Sequence, residues 1–156
     1  MDINLKLKQL GISLPASSKP IASYINAKAH GGLLFISGKL PVESGAVKYR
    51  GKVGRDITPE EGYSAARLAA LHALAAAGEV VGDFNLIKGV VKVTGYVNAA
   101  QGFTDIPKVI NGASDILGQI FGERGKHARS AVGVAELPLN SSVEIEVIFE
   151  IKKRNK

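Results

Sequence analysis

Residues 126–138 read Lys-His-Ala-Arg-Ser-Ala-Val-Gly-Val-Ala-Glu-Leu-Pro. They place a single arginine, Arg129, at the head of a small, apolar run that looks like a buried strand closed by a proline. A guanidinium keeps its charge at any relevant pH, so burying it is costly unless a carboxylate or another acceptor meets it. Either the protein or a ligand supplies that partner. Downstream, residues 142–152 alternate: Val143, Ile145, Val147, Phe149 and Ile151 share one face, and Glu144, Glu146, Ile148 and Glu150 the other. That is a strand with a carboxylate face. Arg129 could form an ion pair with Glu144 or Glu146 across adjacent strands. It could instead hold a ligand carboxylate through two parallel hydrogen bonds.

Other chemistries find little support. There is no cysteine, which excludes a disulfide framework, a thiol nucleophile and a thiolate metal site, and the three histidines are widely spaced. Metal-free chemistry without a cofactor is expected. Gly122 and Gly125 neither follow a strand nor open a helix, so they are not a phosphate cradle. The formal charge of +6 would suit a nucleic-acid partner if it were clustered. Lys39, Lys48, Arg50, Lys52 and Arg55 lie close together with Tyr49 among them, and the tail 152–156 is basic. A charged hairpin and a solvated tail are the simpler reading, so a nucleic-acid partner is not expected. No stretch resembles a signal peptide or reaches the length of a membrane span, which suggests a cytoplasmic protein without a membrane partner.

The elements that must position these residues can be read in order. A chain of 156 residues, 46% of them hydrophobic, suits one domain with one core. Ile3, Leu5, Leu7 and Leu10 suit either a short helix stopped by Gly11 or a strand. Residues 24–29 and 33–38 flank Gly31-Gly32 as a hairpin, whose second strand is apolar on both faces. After a turn at 41–45, residues 46–53 alternate as an exposed strand. Thr58-Pro59-Glu60-Glu61 is a capping box that opens a helix running to about Ala77 and ended by Gly78. His72 falls on its apolar stripe and reads as a satisfied core histidine. Residues 86–97 form a strand with Val91, Val93, Gly95 and Val97 on one parity, and a second helix runs from Pro107 to about Phe121.

This order predicts an α+β mixed sheet with two helices on one face. The strands at 33–38 and 129–138 look apolar on both sides, and only two helices are available. The second face is therefore expected to pack against another copy of the chain.

With these elements in place, the sequence resembles the RidA family, also called the YjgF or L-PSP endoribonuclease family. The resemblance rests on Ser37-Gly38-Lys39-Leu40-Pro41, on residues 91–97, and on Arg129-Ser130 through Leu137-Pro138 to Val143-Glu144-Ile145-Glu146. It covers residues 18 to 152 of a single domain, with residues 1–15 as an N-terminal extension. It implies the chorismate-mutase-like fold and a homotrimer with ligand clefts between subunits. It also implies hydrolysis of 2-imino acids, of the 2-iminobutanoate or 2-iminopropanoate type, to 2-keto acids and ammonia. By the same resemblance Arg129 binds the substrate carboxylate and Glu144 positions the water. Tyr24, Gly38, Asn111 and Ala131 line the cleft, Ala131 standing where many members have cysteine. The segment 103–111 is longer than usual, as in a longer branch of the family. Two alternatives accompany this reading: a trimer of the same fold that binds a small molecule without turnover, and an RNA-binding or RNA-cleaving protein.

Overall fold

A computed structural model describes residues 2–16 and 23–152. The part of the Pro15-to-Pro20 loop beyond residue 16 and the tail residues 153–156 lie outside the described residues. The first apolar run is a helix, α1 (Ile3–Gln9), whose Asp2 carboxylate accepts the Leu5 N–H. Ile3 and Leu7, one turn apart, are buried while Leu5 faces solvent. There follow β1 (Ala27–His30), β2 (Leu33–Lys39), the two-residue strands β3 (Val42–Glu43) and β4 (Ala46–Val47), α2 (Pro59–Val81), β5 (Ile87–Asn98), α3 (Ile106–Phe121), β6 (Ala128–Val134) and β7 (Val143–Ile151).

Five strands form one sheet in the order β1-β2-β7-β5-β6. Neighbours are antiparallel except β5 and β6, which run parallel and are joined by the α3 crossover. Helix α2 lies over β2 and β7, and α3 over β5 and β6. The expected α+β mixed sheet with two helices is therefore present.

Because directly paired residues share a face, the register sorts side chains into rows. Ile36, Val147, Val93 and Arg129 form one row, and Lys39, Ile145, Gly95 and Ala131 another, both beneath the helices. The alternate rows, Glu146, Thr94 and Ser130 between these two and Glu144, Tyr96 and Val132 beyond them, point to the opposite face. Among the described residues that face carries no helix, and it leaves Phe35 at 42% and Val132 at 43% exposure.

Several expectations need correction. Only residues 46–47 of the stretch 46–53 are strand. Gly51 and Gly54 take φ of 105° and 88°, and the Val53 N–H turns to the Asn98 carbonyl, so the segment loops over the sheet end. Helix α2 opens with the expected capping box, Thr58 Oγ1 accepting from the Glu61 N–H and Glu61 Oε2 from the Thr58 N–H. It continues past Gly78, which is small because the Phe84 ring packs on it, and stops at Gly82. By length and composition α2 could also cross a membrane, contrary to expectation, although 61% of its apolar window is buried inside the protein. A register shift between Val90 and Lys92 takes Val91 out of the parity of Val93, leaving it 40% exposed. Finally, β6 is an edge strand and mostly exposed, so Arg129 is not buried within this chain.

The two helices meet closely at Gly112. A Cβ there would lie 1.9 Å from the Tyr63 carbonyl oxygen of α2, whereas one at Gly118 would meet nothing within 4 Å. Gly112→Ala should destabilise the protein by about 2–3 kcal/mol through overpacking against backbone. Gly118→Ala should be neutral or stabilising by up to about 1 kcal/mol through helix propensity. Thermal melts of the two variants check the pair.

Candidate functional site

Arg129 leaves the edge strand on the helix face, where α3 presents Asn111 and Ser114 three residues apart on one side of the helix. The Arg129 Nη1 group donates to Asn111 Oδ1 at 2.8 Å and to Ser114 Oγ at 3.1 Å. Both hydrogens of that nitrogen are thereby used, and both acceptors are neutral. None of the ion pairs among the described residues involves Arg129. The Nε and Nη2 edge, which matches a carboxylate in width, is left for a ligand. Arg129 is among the residues that line an open cavity of about 790 Å³, with Ser114, Gly118, Glu123, Lys126 and His127.

His127 and Ser114 are the residues the sequence reading passed over. His127 Nδ1 lies 2.6 Å from the Gly125 carbonyl oxygen, which can only accept, so Nδ1 carries the proton. In the neutral ring Nε2 is then an acceptor, and Ser114 Oγ–H donates to it across 3.0 Å. A continuous chain results, from Arg129 through Ser114 and His127 to Gly125. The signals were present: Ser114 stands three residues after Asn111, and His127 two before Arg129 on the same side of the strand.

Glu144 lies elsewhere. It is half-buried on the face opposite Arg129, with β5 between their strands. The expected alternative of an ion pair across adjacent strands fails for that reason, since β6 and β7 are not neighbours. The Glu144 carboxylate packs on Gly38, where a Cβ would come within 1.8 Å of Oε1. Burial, and secondarily the nearby Glu146, raises the Glu144 carboxyl above its ordinary value of 4.5. Glu146 in turn accepts a hydrogen bond from the Tyr96 hydroxyl at 3.3 Å.

The six anticipated site residues thus fall into groups. Arg129 and Asn111 touch. Ala131 stands two residues beyond Arg129 on the same face, half-buried and packed on the core. Gly38 and Glu144 touch on the other face. Tyr24 is exposed on the chain entering β1, the edge strand opposite β6.

The basic segment is largely neutralised. Lys39 is buried beneath the helices and donates to Asn26 Oδ1 at 2.6 Å, its pKa lowered by that burial. Lys48 pairs with Glu43 at 2.8 Å, and Arg55 with Asp56 at 2.9 Å. Lys52 donates to Asn98 Oδ1 and the Ala135 carbonyl and lies 3.4 Å from Glu136. His72 is the satisfied core histidine expected, its Nε2 lying 2.7 Å from the Val42 carbonyl oxygen.

Comparison with known proteins follows the same lines. The model of the family described as "YjgF/chorismate_mutase-like, putative endoribonuclease" matches residues 4–151. Protein TCP17 of Trypanosoma cruzi is 40% identical over 146 residues, covering 93% of this chain and 91% of that protein. A 2-iminobutanoate/2-iminopropanoate deaminase of Dermatophagoides farinae is 31% identical over 141 residues, covering 90% and 95%. Among solved structures, one from Shewanella oneidensis with the same endoribonuclease description is 34% identical. It superposes with a TM-score of 0.93 over 97% of this chain and all of the other. On sequence, on fold, and on nearly the full length of both chains, the protein belongs to the YjgF/chorismate-mutase-like family, the RidA family of the sequence resemblance.

Proposed function

We propose that this protein hydrolyses 2-imino acids to 2-keto acids and ammonia at clefts formed between the copies of a homotrimer. The observation that carries the reading is Arg129, a guanidinium on the lining of an open cavity, held by two neutral acceptors through one nitrogen only. The deaminase relative supports the choice of substrate class.

The chemistry asks little beyond positioning. Arg129 holds the carboxylate of the imino acid, which fixes the adjacent C=N carbon. Glu144 accepts a proton from a water as its oxygen bonds to that carbon. The tetrahedral intermediate collapses to the C=O bond, and nitrogen leaves as ammonia after taking up a proton. One iminium and one water become one keto acid and one ammonium. A Glu144 carboxyl raised by burial is a stronger base than an exposed one. Glu144 and Arg129 point to opposite faces of one sheet, so in this reading the glutamate that serves an Arg129 comes from another copy. The uncovered face, with Phe35, Val91 and Val132 exposed, is the surface through which copies would associate.

Arg129→Ala should lower kcat/KM for ammonia release from 2-iminobutanoate generated in situ by about 100-fold or more, with the fold intact by circular dichroism. A wild type that does not accelerate release would overturn the enzyme reading. Binding of a carboxylate ligand without turnover would favour the regulatory alternative, and cleavage of added RNA the endoribonuclease one.

The pH profile tests Glu144 separately. As the base it must be ionised, so activity is present above its folded pKa and falls as pH drops through it. Because that pKa is raised, the acid limb should lie above the ordinary carboxylate range near 4.5. Glu144→Gln should remove the limb along with most of the rate. An unchanged limb in this variant would assign it to another group.

A further inference from the structure

The chain from Arg129 to Gly125 contains every part that an activated serine requires. We propose that Ser114 and His127 form a nucleophile–base pair that cleaves short esters or thioesters whose acyl group carries a free carboxylate. This inference is independent of the imine reading, because all its groups belong to one copy of the chain and Glu144 takes no part.

The geometry supplies each role. Ser114 Oγ lies 3.0 Å from His127 Nε2, within reach for proton transfer. His127 Nδ1 donates to the Gly125 carbonyl at 2.6 Å, which fixes the ring orientation and leaves the Nε2 lone pair directed at the hydroxyl. Arg129 Nη1 donates to the same Ser114 oxygen at 3.1 Å, lowering the cost of developing negative charge there. The Oγ atom keeps one lone pair for attack. Asn111, one helical turn before Ser114, has its Oδ1 engaged by Arg129, so its Nδ2–H groups remain to meet an oxyanion. Ser114, Gly125, His127 and Arg129 line the cavity of about 790 Å³, ample for a short acyl chain.

The same arginine sets the substrate class. Its Nε and Nη2 edge would hold a carboxylate, while its Nη1 sits on the nucleophile. The bound carboxylate and the attacked carbonyl carbon are then separated by little more than one guanidinium width. A half-ester of succinate or glutarate length fits; a neutral ester lacks the anchor. In the reaction Ser114 Oγ bonds to the acyl carbon as its proton passes to His127 Nε2. The C–O or C–S bond of the leaving group breaks, and His127 returns the proton to the departing alcohol or thiol. Water, deprotonated by the same nitrogen, then cleaves the acyl-serine ester to the free diacid and restores the hydroxyl. The balance is one ester and one water giving one acid and one alcohol.

The test uses the full-length protein with the mono-4-nitrophenyl ester of glutarate, 4-nitrophenyl butyrate as its uncharged counterpart, and a fluorophosphonate probe. We expect hydrolysis of the charged ester at least about 10-fold faster than of the neutral one, and a probe adduct that peptide mass spectrometry assigns to Ser114. Ser114→Ala and His127→Gln should each lose about 100-fold in hydrolysis, and Arg129→Gln should abolish the preference for the charged ester. The wild-type adduct needs no variant, so the result stands even if a substitution unfolds the protein. Absence of both an adduct and hydrolysis, or an adduct at another residue, would overturn the assignment. So would hydrolysis retained in folded Ser114→Ala. Ammonia release from imino acids, measured on the same preparation, reports the other reaction, so either activity can fail alone.

Discussion

In the ladder between β5 and β6, Val93 is paired with Arg129 and Val97 with Gly133, and this register decides which way the guanidinium leaves the sheet. A slip of one residue would turn Arg129 to the uncovered face and bring Ser130 beneath α3. Packing opposes the slip. Gly133 lies under Ile106 of α3, where a Cβ would come within 2.9 Å of Cδ1, so the larger Val132 in its place would force the Ile106 side chain to move. The α3 crossover that makes β5 and β6 parallel also sets Asn111 and Ser114 over the strand they meet. One βαβ unit therefore builds and orients the whole Arg129 half of the site.

What the sequence allowed to be read follows from what each signal depends on. Helix α2 announced itself through local chemistry, Thr58 and Glu61 capping each other within one turn, and strand β7 through an alternation over nine residues that only Ile148 interrupts. Both signals are complete within a short window. The failures are those in which a distant contact overrides the local pattern. Gly78 reads as a stop until Phe84 is seen lying against it. Val91 reads as sharing a face with Val93 until the bulge displaces it. The apolar run after Arg129 reads as buried because composition does not distinguish a strand covered by its own chain from an edge strand left open. Ser114 and His127 were missed for a related reason. They stand 13 residues apart, on a helix and on the chain entering a strand, and only the crossover brings them together.

The electrostatics of Arg129 separate it from the other basic side chains. Lys48 and Arg55 are met by carboxylates at the surface, where such pairs contribute little, and Lys52 by carbonyl and amide oxygens that tie loops to the sheet end. Asn111 and Ser114 do something different for Arg129. They hold the guanidinium in one orientation without cancelling its charge. An aspartate in place of Asn111 would satisfy the arginine and compete with any anion brought to it. A guanidinium oriented by neutral acceptors loses little entropy on meeting a carboxylate and keeps its full charge for it.

Glu144 poses the complementary case. It is half-buried beside a second carboxylate and backed by Gly38, an arrangement that holds its proton more tightly and has no evident benefit for a single chain. A carboxylate made costly on one face and a guanidinium left unpaired on the other cannot relieve each other within one sheet, because β5 and the sheet itself stand between them. They can do so across two copies. If the uncovered face of one copy meets the β6 edge of the next, the apolar side chains Phe35, Val91 and Val132 lose water while the two polar halves approach. In a closed ring every copy offers both halves once, so each cleft receives one arginine and one glutamate. The Ser114–His127 pair needs no such meeting, since it is complete within one chain. The two chemistries proposed at Arg129 therefore differ in what they ask of assembly: one depends on a neighbour, and the other would survive dissociation.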